Sequence, residues 1–325
     1  MLNSRLFSIL AGSMTMERVN QTSSVSEFIL LGLSSWPEDQ KPLFVLFLTM
    51  YLITITGNLL IILAIHSDPQ LQTPMYFFLS FLSFTDICFT TTIVPKMLVN
   101  FLSKKKTISY AGCLTQMYFL YAFGNTDSCL LAAMAIDRYV AICDPFHYVT
   151  IMSHHRCFLL LAFSCSFPHF HSLLHTLLLN RLTFCDSNVI QHFLCDINPL
   201  LKLSCSSTFV NDITIKTEGV VVFVTPFLCI SFSYVRILIA VLKIPSAAGK
   251  CKAFSTCGSH FIIVTFFYGS IFYVYLQPLS SYTGRDRVAT ISYTILPSML
   301  NPFIYSLRNK DMKRGLEKMM CKRKS

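Results

Sequence analysis

The chain has 325 residues, of which 53% are apolar and only 13% charged, about half the charged share of an ordinary globular protein. So few charges argue against a soluble protein of this size and fit a chain covered by lipid. The net charge of +10 does not read as a nucleic-acid footprint, because the basic residues are scattered or sit at loop ends and form no patch interleaved with aromatics.

The opening stretch "MLNSRLFSILAGSM" holds one Arg and a short apolar run, a poor secretory signal, and Met16 is an alternative start. Asn20 in "NQT" is a glycosylation acceptor, usable only in the lumen, so residues 1–42 read as an extracellular N-terminus. Seven apolar segments follow, at about 43–65, 75–99, 114–142, 158–179, 213–242, 254–276 and 288–307. Each is long enough to cross roughly 30 Å of hydrocarbon as a helix and satisfies its own backbone groups in that form. The third, fifth and sixth are the clearest. The second and seventh carry several polar residues, and the fourth has Pro168 and three histidines, His169, His171 and His175. The expectation is an all-α membrane protein. Residues 43–307 form a seven-transmembrane helix bundle, and the cytoplasmic tail at 308–325 carries a short amphipathic helix. Pro226, Pro297 and Pro302 interrupt the fifth and seventh spans, where proline removes a backbone donor and kinks a helix.

Charge counts barely orient the bundle. With the N-terminus outside, 14 of the 26 Lys and Arg lie on the inner side, so the positive-inside rule is only weakly met. Lys104, Lys105 and Lys106 would lie outside. Cysteines are more informative. Of 13, four would be extracellular: Cys113, Cys185, Cys195 and Cys205. An even number on one side suggests disulfides, with three connectivities open. Zinc is the competing reading, but close-spaced cysteine pairs are missing from the loop.

Ionisable groups inside membrane helices are functional candidates by default. Asp86 lies in the second span and Asp127 in the third. The pair could share a cation such as sodium, share a proton, or hydrogen-bond to neighbouring helices. Asn58 and Asn301, amides in apolar surroundings, could join the cluster. Tyr121, Gly124, Asn125 and Ser128 follow an i, i+3, i+4, i+7 pattern on one face of the third span, which reads equally as close helix packing or as a ligand site. Tyr268, Phe272 and Tyr275 share a face of the sixth span, where aromatic packing competes with a cavity wall.

"MAIDRYVAIC" sets Asp137 and Arg138 side by side where the third span meets the cytoplasm. One state could hold Arg138 against Asp137 and another release it toward a partner protein; snorkelling at the membrane boundary is the bland alternative.

Together with "GN" at 57–58, "PMYFFLS" at 74–80, "MAIDRYVAICDPFHY" at 134–148, "SY" at 233–234, "KAFSTCGSH" at 252–260 and "NPFIYSLRN" at 301–309, this motif resembles the rhodopsin-like G-protein-coupled receptors, and more narrowly the odorant receptors. The resemblance runs from about residue 28 to 318. It implies a multi-pass receptor of the plasma membrane of sensory neurons, with the N-terminus outside and lipid around it. Small volatile odorants would bind in the outer half of the bundle, and a stimulatory G protein would raise cyclic AMP. It also implies the pairings Cys113–Cys195 and Cys185–Cys205. A switch would be built on Asp137, Arg138 and Tyr139, with Tyr234, Asn301, Pro302 and Tyr305. The interior acidic cluster would be Asp86 and Asp127, and Tyr121, Gly124, Asn125, Tyr268 and Tyr275 would face the odorant. Two departures are visible. Cys165 stands near where the family carries a tryptophan in the fourth span, and the stretch before Met16 is longer than usual.

A transporter or channel would carry internal repeats or a broken helix at the midplane, and neither is seen. His171 and His175 are spaced i, i+4 as a metal pair could be, yet no HExxH motif accompanies them, so no enzyme, cofactor or metal centre is expected. Glu218 in the fifth span would favour an amine if ionised in the pocket, but a lone buried carboxylate tends to take up a proton. A neutral or weakly polar ligand is therefore expected.

Overall fold

A computed structural model describes residues 25–34, 36–185, 187–243, 245–275 and 284–322. Asn20 lies outside these residues. Long helices run over Pro37–Ser67 (α1), Pro74–Leu102 (α2), Tyr110–Cys143 (α3), His154–Asn180 (α4), Phe209–Leu242 (α5) and Ala247–Tyr275 (α6). α7 is split into Gly284–Thr294 and Leu296–Arg308, and α8 covers Lys310–Lys322. Most of these helices extend a few residues beyond the apolar stretches, while α5 ends with its stretch at Leu242 and α6 ends at Tyr275. Prolines begin α1 and α2, where the missing N–H costs nothing.

Among the described residues, α1 to α5 are long and apolar enough to cross a membrane, and α6 adds a shorter apolar stretch, His260–Tyr273. This corrects the ranking read from sequence. α1 is the most apolar, while α3 is the least apolar of the five and the most buried. α3 packs against α2, α4, α5 and α6, so neighbours rather than lipid cover its polar side chains.

The prolines act as expected, by local rearrangement. A π-helical turn at Val220–Val224 precedes Pro226 in α5. There a wider hydrogen-bond register absorbs the donor that proline lacks. α7 breaks at Ile295, just before Pro297. On its second segment Pro302 faces α1 so closely that a Cβ at Gly57 would come within 2.8 Å of the ring, which explains the need for glycine there.

The sequence reading did not include a sheet. Glu27–Leu30 (β1) pairs antiparallel with Thr107–Ser109 (β2) and parallel with Val189–Ile190 (β3). Strands of two to four residues are too short to show a period against the apolar background. β1 buries Phe28 and Leu30 against Ile108, Leu179, Phe184 and Ile190. The chain then turns at Gly32, whose φ of 76° suits glycine, and its carbonyl accepts from Arg287 at 2.9 Å. The sheet and the α4–α5 loop thus cap one end of the bundle.

At the opposite end α8 lies against α1, with Met312 buried. Lys318 donates to Asp68 at 3.1 Å and holds that carboxyl below its usual range.

Candidate functional site

Two disulfides fix the cap. Cys113–Cys195 ties the start of α3 to the α4–α5 loop, and Cys185–Cys205 closes a hairpin within that loop, with Cα separations of 5.4 and 5.8 Å. Of the three connectivities, this is the one the family resemblance implied. Gln116 adds a clamp: its Oε1 accepts from the Cys195 N–H at 3.0 Å, and its amide donates to the Thr92 carbonyl at 3.1 Å.

Next to the bridge, Asp196 is buried and caps the short helix Ile197–Leu201, accepting from the Ile197 N–H at 2.7 Å. It also accepts from the Tyr121 hydroxyl at 2.6 Å. Burial pushes this carboxyl up, against the pull of those two donors. His192 is fully buried. Its Nδ1 accepts from the Leu194 N–H at 3.3 Å, and Nε2 lies 3.4 Å from the Thr290 hydroxyl. Burial, with the positive charge of Arg287, pulls the imidazole down to about 3. The folded ring therefore stays neutral where an unfolded one, with a pKa of about 6.5, takes a proton. Stability from this residue is fully present above about pH 6.5 and is lost as pH falls toward 3, at up to about 1.4 kcal/mol per pH unit. The thermal midpoint of the purified protein should drop between about pH 7 and pH 5, and His192→Gln should flatten that slope. An unchanged slope in the variant would assign it to other groups.

Beneath the cap lies a cavity of about 30 Å³ that includes Tyr121, Gly124 and Asn125 of α3. The rest of its wall is Phe89, Leu120, Phe223, Phe267, Ile271 and Tyr293, none of which the sequence singled out. In α6 the aromatic pattern pointed to Tyr268 and Phe272, one residue round from Phe267 and Ile271. That is a rotation of about 100° on a helix, which a pattern of polar atoms alone does not resolve. Tyr268 is buried instead against Ser128, hydroxyl to hydroxyl at 2.6 Å. Phe272 packs edge-on to Phe227. The cavity wall leaves out Ser128, Tyr268, Phe272 and Glu218. Tyr275 ends α6, and its side chain lies outside the described residues.

Glu218 is not the lone carboxylate expected. Its Oε2 lies 3.5 Å from Nε2 of both His171 and His175, and those two nitrogens are 3.2 Å apart. The i, i+4 spacing put both histidines on one face of α4, but only helix packing brings α5 to them. Asn125 reaches the same group, with Nδ2 3.3 Å from His171 Nδ1.

Deeper in the bundle, Asp86 and Asp127 line a second cavity of about 10 Å³ together with Ser298 and Asn301, room for roughly one water. The Asn301 amide donates to Asp86 at 2.7 Å, and the Thr85 hydroxyl donates to Asp127. Asn58 joins through Ser298, donating to its carbonyl at 3.0 Å.

At the end opposite the cap, Asp137 accepts from the Tyr148 hydroxyl at 2.8 Å. Arg138 makes no ion pair with it among the described residues, and its Nε has no hydrogen-bond partner. In this structure Asp137 is engaged by Tyr148, and Arg138 is free of it, the arrangement in which the sequence reading has Arg138 released. Arg138 lies within electrostatic reach of Tyr234, Cys257, His260 and Tyr305. Tyr234 pairs with His260, while among the described residues the buried Tyr305 hydroxyl has no hydrogen-bond partner. Tyr139 packs against Phe232.

The family model described as "Olfactory receptor" matches residues 47–323. Olfactory receptor 1L8 of Homo sapiens is 78% identical over 95% of this chain and 100% of its own length. Olfactory receptor 1L3 of Homo sapiens is 72% identical over 94% of this chain and 95% of its own, and Olfactory receptor 1f45 of Rattus norvegicus is 56% identical over 95% and 98%. The crystal structure of squid rhodopsin superposes with a TM-score of 0.69 at 21% identity, covering 88% of this chain and 86% of that one, a likeness of fold. On these matches the chain belongs to the olfactory receptor family, multi-pass receptors of the plasma membrane that sense odorants through a G protein and are not enzymes.

Proposed function

We propose that this receptor binds small, neutral or weakly polar volatile molecules beside Tyr121, Gly124 and Asn125. In response it activates a stimulatory G protein at the Arg138 end and raises cyclic AMP. The N-terminus and the disulfide-bonded cap are extracellular, and lipid covers the outer faces of the helices.

The observation that carries this reading is the cavity wall, whose nine residues include no carboxylate and no Lys or Arg. An amine would find no counter-ion there. Glu218, the carboxylate considered from the sequence, is turned to His171 and His175, and the Asp196 carboxyl beside Tyr121 is engaged by the Tyr121 hydroxyl and the Ile197 N–H. At about 30 Å³ the cavity is far below the roughly 300–1,000 Å³ of small-molecule pockets. Odorant binding therefore moves the aromatic wall apart, and Phe223, within the π-helical turn of α5, is placed to yield. Between this cavity and the inner end, Asp86, Asp127 and Asn301 form the polar link. The two carboxylates share a proton or a sodium ion.

A cyclic-AMP dose–response screen in transfected cells tests the ligand class. Neutral odorants are expected to activate in the micromolar range, and Asn125→Ala to shift the half-maximal dose by about tenfold or less, the worth of one hydrogen bond. Activation by amines alone, abolished in Glu218→Gln, would overturn the neutral-ligand reading.

A further inference from the structure

We infer that His171, His175 and Glu218 form a binding site for a divalent transition-metal ion of the zinc class, linking α4 to α5 beside the ligand cavity. The three ligand atoms are the observation that carries it. The two Nε2 atoms are 3.2 Å apart, and each is 3.5 Å from Glu218 Oε2. A tetrahedral zinc with bonds of about 2.0–2.1 Å sets its ligand atoms about 3.3–3.4 Å apart. The three donors therefore already stand at three corners of the tetrahedron that zinc requires.

Their chemistry agrees. Each of the three atoms can offer a lone pair, and they lie 3.2–3.5 Å from one another. Without a cation between them, at least one must hold a proton to avoid facing lone pair against lone pair. Glu218 Oε2 accepts no hydrogen bond. His175 is 3% exposed, and among the described residues its Nδ1 has no hydrogen-bond partner. Two imidazoles and a carboxylate are a donor set suited to zinc with one position left open. The fourth corner falls to water or to any small ligand with a lone pair.

The surroundings also fit. Zinc-bound histidine usually donates its other ring N–H to a neighbour, which fixes the tautomer. With zinc on Nε2, His171 carries its proton on Nδ1, 3.3 Å from the Asn125 amide. That amide offers its oxygen after a simple flip, a choice that hydrogen-bond networks decide. Tyr121 stacks on the His175 ring at 6.5 Å between centroids. The two ligand histidines would thus be flanked by Asn125 and Tyr121, α3 residues that also line the ligand cavity. Glu218 sits two residues before the π-helical turn at Val220–Val224, so the ion would pin the least regular part of α5.

The test is equilibrium zinc binding to the purified full-length receptor in lipid nanodiscs after chelator treatment. Cobalt substitution serves as a spectroscopic probe of tetrahedral geometry. One zinc per receptor is expected, with a raised thermal midpoint and intense visible cobalt bands. His171→Ala, His175→Ala and Glu218→Ala should each weaken binding by more than about 100-fold, and Asn125→Ala by about 10–100-fold, as loss of an outer-shell partner does. Glu218→His, which restores a donor at that corner, should keep the site. So should His169→Ala, whose ring is bonded to the Cys165 carbonyl of its own helix at 2.8 Å. Absence of binding to the unsubstituted receptor would overturn the inference. So would binding that survives in both His171→Ala and His175→Ala, or that is lost equally in His169→Ala. None of these readouts requires an odorant or a G protein, so the result is independent of the function proposed above.

Discussion

Replacing Cys113 or Cys195 by Ser is expected to remove most of the receptor from the cell surface, and to the same extent for either residue. Both cysteines are fully buried, and their bridge closes a loop of 82 residues. In the chain-entropy account a loop of that length stabilises the fold by about 4.5 kcal/mol. The Cys185–Cys205 bridge spans only 20 residues, about 3.3 kcal/mol by the same account, and both of its cysteines are exposed. Cys185→Ser should therefore be the milder change. Beyond the loop entropy, the first bridge holds Asp196 against Tyr121 and Gln116 against Cys195, so its loss frees the roof of the ligand cavity. Surface labelling of tagged receptors measures this directly. Equal loss for Cys113→Ser and Cys185→Ser would show that the exposed hairpin matters as much as the buried anchor.

Arg138→Ala should leave the receptor at the surface yet lower odorant-driven cyclic AMP by about 5–150-fold, the usual range of an allosteric coupling. The physical reason lies in what Arg138 lacks. Its neighbour Asp137 is taken by Tyr148, and its Nε has no hydrogen-bond partner among the described residues. Tyr305 is buried nearby with its hydroxyl unpartnered. A half-buried cation and an unpaired hydroxyl are costly in apolar surroundings. On the function proposed above, both would gain partners when a G protein docks at this end of the bundle. Surface labelling and a cyclic-AMP assay on the same cells separate folding from signalling. Normal signalling by the variant would leave Arg138 as a residue that merely snorkels to the membrane boundary.

Much of this was readable from the chain alone. The apolar runs dictate helices, since lipid offers no other partner for backbone groups. Proline at 226, 297 and 302 marked where α5 and α7 depart from regularity, because a missing donor is a local property. The spacing of Tyr121, Gly124 and Asn125 put them on one face, and that of His171 and His175 did the same, because helical phase depends only on sequence separation. The motifs around Asp137 and Asn301 carried the family. Tertiary structure alone decided what lies between helices. Glu218 and the histidine pair are more than forty residues apart, and no periodicity relates one helix to another, so their meeting at 3.5 Å was not legible. The same holds for Tyr148 taking Asp137, Tyr268 turning to Ser128, and Phe267 and Ile271 facing the cavity. Each depends on how a helix is rotated about its own axis, which is set by side-chain packing against neighbours. The capping sheet was hidden for a different reason: its three strands of a few residues each are stabilised by one another, by packing against Leu179 and Phe184, and by the bridge at Cys113, and none of them signals itself alone.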